Sequence, residues 1–177
     1  SAFVRLVGAE HYAALSCLRY VFLGGEPIVI PRLIDWLSSS QCHAQIVNTY
    51  GPTECTDVCA FFRVEQPQRY ISSNVPIGYP VPGFDLRIVD GNLREVPAGQ
   101  EGQLVIGGVG VGKGYHGRAD LTAERFVANP FAPRSLLYLS GDLARLLDDG
   151  SIDYLGRIDT QVKIRGFRIE LGEVETA

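Results

Sequence analysis

Apolar positions in the first part of the chain alternate between helix-like and strand-like spacing. Residues 9–15 have the spacing of a short helix, and residues 20–23 form an apolar run that is typical of a buried strand. A second helix is predicted to begin at Pro31, because proline is favoured in the first helical turn. Residues 45–48 form the next apolar run, so the pattern predicts two strands separated by a helix.

Two strands joined through a helix predict a parallel sheet, and ligands of such sheets bind at the carboxyl ends of the strands. The loops that follow these strands span residues 24–26 and 50–54. Both loops are therefore candidate binding loops.

From Val75 onward, prolines and glycines divide the chain into short runs in which apolar and polar residues alternate. Residues 85–89 and 103–106 are the clearest of these runs, and they predict a small antiparallel barrel or sheet. Residues 121–127 are predicted to form one short helix with Asp120 as its N-cap. The pattern thus indicates an α/β unit followed by a β-rich part.

A hairpin is predicted near the end of this β-rich part. Residues 148–150 read Asp-Asp-Gly, and they join the alternating runs 143–147 and 152–154. An Asp-Gly turn between two such runs is a strong local hairpin signal.

Charge and hydropathy exclude two kinds of partner. The formal net charge is -4, and the cations are dispersed among carboxylates. No basic cluster can neutralise several phosphates, so we expect no nucleic-acid partner. No apolar run approaches the roughly 18 residues of a membrane helix, and nothing resembles a signal peptide. We expect no membrane association and a cytoplasmic location.

The sequence contains two further candidate sites. Cys55 and Cys59, with Cys42 or His43, have a spacing that a zinc site tolerates, although reduced, buried thiols are the simpler interpretation. Residues 107–113 read Gly-x-x-x-x-Gly-Lys after an apolar run and nearly complete a phosphate-binding loop. The next residue is glycine, where such a loop needs serine or threonine and the start of a helix.

Four motifs follow one another in the chain. Residues 48–54 read NTYGPTE, residues 102–126 begin GQLVIGG and end RF, residues 138–143 read YLSGDL, and residues 156–170 read GRIDTQVKIRGFRIE. In this order and at this spacing, the motifs resemble those of the adenylation domains of nonribosomal peptide synthetases, which are members of the adenylate-forming superfamily.

The resemblance implies a fold and a division of the chain. Residues 1–158 are expected to form the end of the large adenylation subdomain, a parallel sheet unit plus a small distorted β-barrel. Residues 159–177 are expected to hold the hinge, at Asp159, and the beginning of the small C-terminal subdomain. The family's glycine-rich phosphate loop and catalytic lysine do not occur in these residues, so we expect an internal fragment that is inactive alone.

The resemblance also implies a nucleotide site for ATP or AMP with Mg²⁺. Thr53 is expected near the α-phosphate and Glu54 as the metal ligand, since a hard carboxylate suits magnesium. The other expected nucleotide-binding residues are Gly25, Glu26, Asn48, Tyr50, Gly51, Asp142, Tyr154 and Arg157. Leu139 and Ser140 depart from the motif, which usually has arginine and threonine, and Lys113 stands where arginine is usual.

The positions that line the substrate pocket in the family correspond here to Phe22, Gly24, Thr49, Asp57 and Val58. A carboxylate in a desolvated pocket needs a cationic or hydroxyl partner. Asp57 therefore favours an amino acid with a basic or hydroxylated side chain.

The resemblance implies a two-step reaction in which an amino acid is activated as its adenylate and is then loaded on the phosphopantetheine thiol of a peptidyl carrier protein. The carrier protein and neighbouring synthetase domains are the expected partners. Two alternatives stay open: an aryl- or acyl-CoA ligase of the same superfamily, and a nucleotide-binding or interaction module without catalysis.

Overall fold

The computed structural model describes residues 2–8 and 12–158, and the backbone of residues 162–164 and 167–169. The chain begins with two short helices, α1 (Ala2–Gly8) and α2 (Tyr12–Leu15). The helix predicted over residues 9–15 is thus observed from Tyr12, and residues 9–11 lie outside the described part.

A parallel pair of strands follows, as the pattern predicted. Strands β1 (Tyr20–Gly24) and β2 (Gln45–Tyr50) run parallel. The segment between them contains a 3₁₀ turn over Ile30–Arg32, with Pro31 in its first turn, and then α3 (Ile34–Leu37). The helix expected at Pro31 is therefore a 3₁₀ turn that continues into one α-helical turn.

The first sheet becomes antiparallel after β2. Strand β3 (Ala60–Val64) pairs antiparallel with β2, and β4 (Tyr79–Pro80) pairs antiparallel with β3. The physical reason is the short connection between β2 and β3, because a parallel crossover needs a dozen or more residues. The four-stranded sheet therefore has the order β1-β2-β3-β4 and is mixed.

The second sheet is antiparallel and confirms the β-rich part. Its strands are β5 (Phe84–Val89), β6 (Glu101–Gly108), β7 (Phe126–Ala128), β8 (Leu136–Leu146) and β9 (Ile152–Arg157). The order is β5-β6-β8, and the long β8 pairs with β7 through its first residues and with β9 through its last. Strands β8 and β9 form the predicted hairpin.

The helix between β6 and β7 differs from its prediction. Helix α4 spans Ala119–Arg125, so it starts and ends two residues early. Arg118 occupies the N-cap position, and Asp120 instead forms an ion pair with Arg118 at 3.0 Å. Phe126 leaves the helix because it is buried against Tyr138 and pairs with that residue in the sheet.

The two sheets share a core. One buried cluster includes Tyr50 and Ala60 from the first sheet with Leu104 and Tyr138 from the second. A separate cluster around the fully buried Trp36 holds the first helices against β1 and β2. A β-bridge between Gly78 and Ile152 also joins the sheets, so the loops after β1 and β2 lie beside β9.

Beyond β9, the backbone of β10 (Val162–Ile164) pairs antiparallel with β11 (Phe167–Ile169). The expected hinge residue Asp159 lies outside the described residues, so the division at residues 158 and 159 stays a prediction. Among the described helices, none combines the length and apolar character needed to cross a membrane.

Candidate functional site

A pocket of about 440 Å³ lies where the carboxyl ends of β1 and β2 meet β9. A volume of this size suits a small organic ligand. Its wall contains seven of the eight residues expected to bind nucleotide: Gly25, Glu26, Asn48, Tyr50, Gly51, Tyr154 and Arg157. The eighth, Asp142, lies behind this wall and contacts two of its members. The structure thus brings together residues that are up to 132 positions apart, from Gly25 to Arg157.

Tyr50 and Asp142 are joined directly. The Tyr50 hydroxyl donates a hydrogen bond to Asp142 Oδ2, and both residues are buried. Burial, and then the negative charge of Asp142, raise the pKa of Tyr50 well above its ordinary value. The hydroxyl therefore keeps its proton and acts as a donor.

Arg157 holds the other oxygen of the same carboxylate. Its Nη1 donates to Asp142 Oδ1 at 2.9 Å and to the carbonyl oxygen of Ser140 at 2.7 Å. A carboxylate oxygen has two acceptor sites, so these bonds leave acceptor capacity on Asp142. The residue is 3% exposed and lies behind the pocket wall, so its expected contact with ribose hydroxyls stays a prediction.

The sequence departures at positions 139 and 140 have clear structural roles. Asp142 pairs with Leu104 across the sheet and Leu139 pairs with Val105, so Ser140 and Gly141 form a bulge. The Ser140 hydroxyl donates to the Leu104 carbonyl at 2.6 Å and accepts from the Asp142 N–H at 3.0 Å. Serine therefore braces the residue that presents the carboxylate.

Leu139 packs on the opposite side of this bulge. It lies against the buried cluster of Val89, Val105 and Leu137. An apolar residue at this position thus adds to a small core. Gly141 has a φ of 71°, a conformation that glycine adopts readily, and it allows the chain to turn before Asp142.

Asn48 braces the pocket wall from within. Its Nδ2 donates to the Pro76 carbonyl at 2.8 Å and lies 3.4 Å from the Val75 carbonyl. These bonds hold the backbone before β4 against the pocket. The amide hydrogens are thus used within the protein, and the expected contact of Asn48 with the adenine edge stays a prediction.

Thr53 and Glu54 lie on a 3₁₀ turn over Thr53–Cys55 that follows β2. The two residues after this turn, Thr56 and Asp57, have positive φ angles of 59° and 71°. Gly51 is needed here, since a Cβ on it would lie 1.8 Å from the Asp57 carbonyl oxygen. Neither Thr53 nor Glu54 belongs to the wall of the 440 Å³ pocket.

Glu54 is half-buried, and its Oε1 accepts a hydrogen bond of 2.5 Å from the Tyr115 hydroxyl. No cluster of three or more His, Cys, Asp or Glu ligands exists in the part of the chain that the structure describes. One carboxylate nevertheless fits Mg²⁺, which is commonly held by one or two carboxylates together with substrate phosphates. Glu54 can therefore hold the metal of a bound nucleotide.

Only some of the residues expected to line the substrate pocket lie close together. Phe22 and Gly24 lie on the same face of β1, and Gly24 pairs with Thr49 so closely that a Cβ would lie 2.5 Å from Thr49 Oγ1. Phe22 is 65% exposed and Val58 is 37% exposed. Asp57 is exposed as well, so the described residues do not supply the desolvated surroundings on which its substrate hypothesis depends.

The structure removes the phosphate-loop alternative at residues 107–113. Backbone N–H groups in this loop donate to protein carbonyls, from Val109 to Gly83 at 3.0 Å and from Gly112 to Glu54 at 2.8 Å. Helix α4 begins only at Ala119. Amides that are used in this way cannot cradle a phosphate, so this interpretation was wrong.

The zinc alternative also finds no support among the described residues. Cys55 and Cys59 are fully buried, and burial raises the pKa of both thiols, that of Cys59 to about 12. A thiol must lose its proton to bind zinc. These cysteines therefore behave as packed, reduced side chains.

Sequence reasoning missed several residues of the site. Asn74, Val75 and Ile77 line the pocket but lie in a segment that carries no motif. Tyr115 lies inside the second motif, but nothing in the local sequence pattern indicated that its side chain contacts Glu54. A motif shows which residues occur together in sequence, and it does not show which hydroxyl reaches which carboxylate.

The family model described as AMP-binding enzyme matches residues 1–116. The chain belongs to the AMP-binding enzyme family. The resemblance stated from the four motifs is thereby confirmed at the family level.

The relatives that this chain matches are large synthetases. Tyrocidine synthase 3 of Brevibacillus parabrevis is 48% identical over 167 residues, which cover 94% of this chain and 2% of that protein. The dimodular nonribosomal peptide synthase of Bacillus subtilis (strain 168) is 44% identical over 184 residues, covering 100% and 8%. The chain thus spans a small part of the length of these relatives.

Solved structures agree with the fold of this chain. Holo-PA1221, an NRPS protein containing adenylation and PCP domains, matches with a TM-score of 0.85 at 30% identity, covering 94% of this chain and 29% of that one. NpsA-ThdA of Klebsiella oxytoca, an artificially fused adenylation-PCP di-domain, matches with a TM-score of 0.84 at 28% identity, covering 98% and 35%. The α/β unit followed by a β-rich part is confirmed as an adenylation-type fold.

Proposed function

We propose that this chain supplies the nucleotide-binding wall and the metal carboxylate of an enzyme that activates an amino acid with ATP. The observation that carries the proposal is that seven residues expected to bind nucleotide line the same pocket. The hydrogen bonds that join Tyr50, Asp142 and Arg157 hold that wall in place.

The proposed reaction has two steps. In the first, a carboxylate oxygen of the amino acid attacks the α-phosphorus of ATP and forms a C–O–P linkage, while the bond from that phosphorus to the bridging oxygen breaks. Pyrophosphate leaves with the electron pair. In the second, the sulfur of a carrier-protein phosphopantetheine, having lost its proton, attacks the carbonyl carbon; a thioester forms and AMP leaves.

The residues contribute mainly by positioning, which is a large part of catalysis for such transfers. The Tyr50 ring forms the pocket wall on which adenine stacks, and Asp142 accepts the ribose hydroxyls. Arg157 lines the same pocket, and its positive charge neutralises the Asp142 carboxylate. The Thr53 hydroxyl meets the α-phosphate, and Glu54 holds the cation. Bound Mg²⁺ supplies charge neutralisation at the phosphates.

Several parts of the proposal do not depend on the residues of the pocket wall. The relatives support an amino acid as the acid that is activated, and the solved neighbours with PCP domains support a carrier protein as partner. The hypothesis of a basic or hydroxylated amino acid rests on Asp57. We also propose a cytoplasmic location, and negligible turnover by the 177 residues alone.

The test is ATP–pyrophosphate exchange by the longer enzyme that carries this chain, measured against a panel of amino acids, aryl acids and fatty acids. Exchange driven by one amino acid supports the proposal, and Glu54→Gln should then abolish most of it. Exchange driven only by aryl or fatty acids would assign the chain to the CoA-ligase branch. AMP binding without exchange for any acid would identify a non-catalytic nucleotide-binding module.

The hypothesis about Asp57 has its own test. Asp57→Asn in the same enzyme should shift the amino-acid profile away from basic or hydroxylated side chains. An unchanged profile would remove this hypothesis and leave the rest of the proposal intact.

A further inference from the structure

The glycine-rich segment 107–117, named here the glycine loop, packs against the turn that carries Thr53 and Glu54. The Gly112 N–H donates to the Glu54 carbonyl at 2.8 Å, and the Thr56 hydroxyl donates to the Gly110 carbonyl at 2.8 Å. Two hydrogen bonds therefore join the backbone of this loop to residues in and beside the turn over Thr53–Cys55.

The close approach of the two segments explains the glycines. A Cβ on Gly110 would lie 3.1 Å from the Cys55 carbonyl oxygen, and a Cβ on Gly112 would lie 3.1 Å from the Glu54 carbonyl oxygen. Larger residues would push the loop away from the turn. The glycines that resemble a phosphate-binding loop thus allow this segment to pack against the rest of the protein.

Tyr115 lies at the far end of this loop and is fixed from two sides. Its ring packs edge to face on Phe126 with centroids 5.4 Å apart, and its N–H donates to Thr122 Oγ1 at 2.8 Å. Gly114, with a φ of 132°, lets the chain approach Thr122, because a Cβ there would lie 2.3 Å from the threonine methyl. Helix α4 and the start of β7 thereby set where the Tyr115 ring lies.

From this fixed ring, the Tyr115 hydroxyl donates to Glu54 Oε1 at 2.5 Å across 61 residues of sequence. We propose that Tyr115 is a positioning residue for Glu54, which holds the carboxylate in the orientation needed to bind the divalent cation of the nucleotide. Hydrogen bonds to ligating carboxylates are the usual way in which a protein orients a metal ligand. This inference rests on the proposed function of Glu54 as the metal ligand.

The test uses Tyr115→Phe in the longer enzyme that carries this chain, since phenylalanine keeps the ring on Phe126 and removes only the hydroxyl. Mn²⁺ binding in the presence of a non-hydrolysable ATP analogue is measured by electron paramagnetic resonance. We expect the affinity for Mn²⁺ to fall about tenfold or more, as is usual when the partner of a metal ligand is lost. AMP affinity in EDTA should stay unchanged.

The kinetics of ATP–pyrophosphate exchange by the Tyr115→Phe enzyme give a second readout. The Mg²⁺ concentration at half-maximal rate should rise by about the same factor, while kcat at saturating Mg²⁺ changes little, because the lost bond acts through metal binding. The matched control is Tyr79→Phe, which removes an exposed hydroxyl that lies 3.5 Å from the Asp149 carbonyl. It should retain the Mn²⁺ affinity of the unmodified enzyme.

A double mutant shows whether Tyr115 acts through Glu54. In a Glu54→Gln background, Tyr115→Phe should cause little further loss of Mn²⁺ affinity, because residues in one network are not additive. Should Tyr115→Phe lower the unfolding temperature too far for these measurements, Thr122→Val, which removes the acceptor of the Tyr115 N–H, should reduce Mn²⁺ affinity in the same direction.

Three results would overturn the inference: Mn²⁺ affinity unchanged in Tyr115→Phe, an equal loss of Mn²⁺ and metal-free AMP affinity, or full additivity with Glu54→Gln. These outcomes are distinct from failure of the proposed function. In that case, the unmodified enzyme exchanges pyrophosphate with no amino acid, whatever residue occupies position 115.

Discussion

Tyr50 and Asp142 lie 92 residues apart in sequence, and the Tyr50 hydroxyl donates a hydrogen bond to the Asp142 carboxylate inside the protein. The bond joins the end of β2 in the first sheet to β8 in the second. Because Tyr50 also lines the pocket, the ring expected to stack on adenine and the carboxylate expected to bind ribose form one unit.

Tyr50→Phe removes this hydrogen bond and keeps the ring. A hydrogen bond to a charged group contributes about 1.5–3 kcal/mol, so the free energy of unfolding should fall by that order. AMP affinity should also fall, because Asp142 loses a group that orients it. Denaturant unfolding and calorimetric AMP titration test both effects. Unchanged values for each would show that the bond contributes nothing in solution.

The raised pKa of Tyr50 predicts a stability change in alkali. Below about pH 10, tyrosine is protonated in both the folded and unfolded states. Above that pH the unfolded state loses the proton while buried Tyr50 retains it, so stability falls as the pH rises. The loss of stability between about pH 9.5 and 11 should be smaller in Tyr50→Phe. Equal slopes for the two proteins would contradict this.

Arg157→Gln should be strongly destabilising. The side chains of Arg157 and Asp142 are only 11% and 5% exposed, and removal of the arginine leaves a buried carboxylate without its ion-pair partner. Breaking such a pair costs about 3–5 kcal/mol. The control is Arg118→Gln, since Arg118 and Asp120 are 59% and 70% exposed and such pairs contribute about 0–1 kcal/mol. Similar losses in both variants would refute the distinction.

Ser140→Ala tests the bulge before Asp142. The substitution leaves the buried Leu104 carbonyl and the Asp142 N–H without the serine oxygen, at a cost of about 1–3 kcal/mol. AMP affinity should fall with it, since the Asp142 backbone is no longer braced. Ser140→Thr retains the hydroxyl and is the matched comparison. If alanine and threonine have the same effect, the hydroxyl is not what holds this turn.

The cysteines should react with thiol reagents in a fixed order at pH 8. Cys17 is exposed and should react first, and Cys42 is half-buried and should react more slowly. Burial raises the pKa of Cys59 to about 12, so about one molecule in 10⁴ carries its thiolate. Buried Cys55 and Cys59 should react only on unfolding. Cys17→Ser should remove the fast phase, and rapid labelling of Cys59 in the folded protein would contradict the buried assignment.

Local sequence patterns predicted a substantial part of the fold. The apolar runs at 20–23 and 45–48 became the parallel pair β1 and β2, and the Asp-Asp-Gly turn became the hairpin of β8 and β9. These elements depend on side-chain periodicity and turn residues, which are properties of neighbouring positions. Strand β3 was not predicted, and its direction depends on the length of chain that connects it to β2.

The helix near residue 120 shows the limit of local signals. Asp120 is a good N-cap residue by type, yet its carboxylate pairs with Arg118, and Phe126 leaves the helix to pack on Tyr138. Burial of a large aromatic ring outweighs the weak helical preference of the last turn. The same competition explains why predicted and observed helix ends differ by two residues.

The sequence by itself determined the family, the succession of an α/β unit and a β-rich part, and seven of the residues that line the pocket, because motifs and periodicity are local properties of the chain. Only the tertiary structure decided which polar atoms meet. The Tyr50 hydroxyl reaches Asp142 across 92 residues, and the Tyr115 hydroxyl reaches Glu54 across 61. Such bonds depend on how two sheets pack on a shared core, and no local pattern encodes the distance between them.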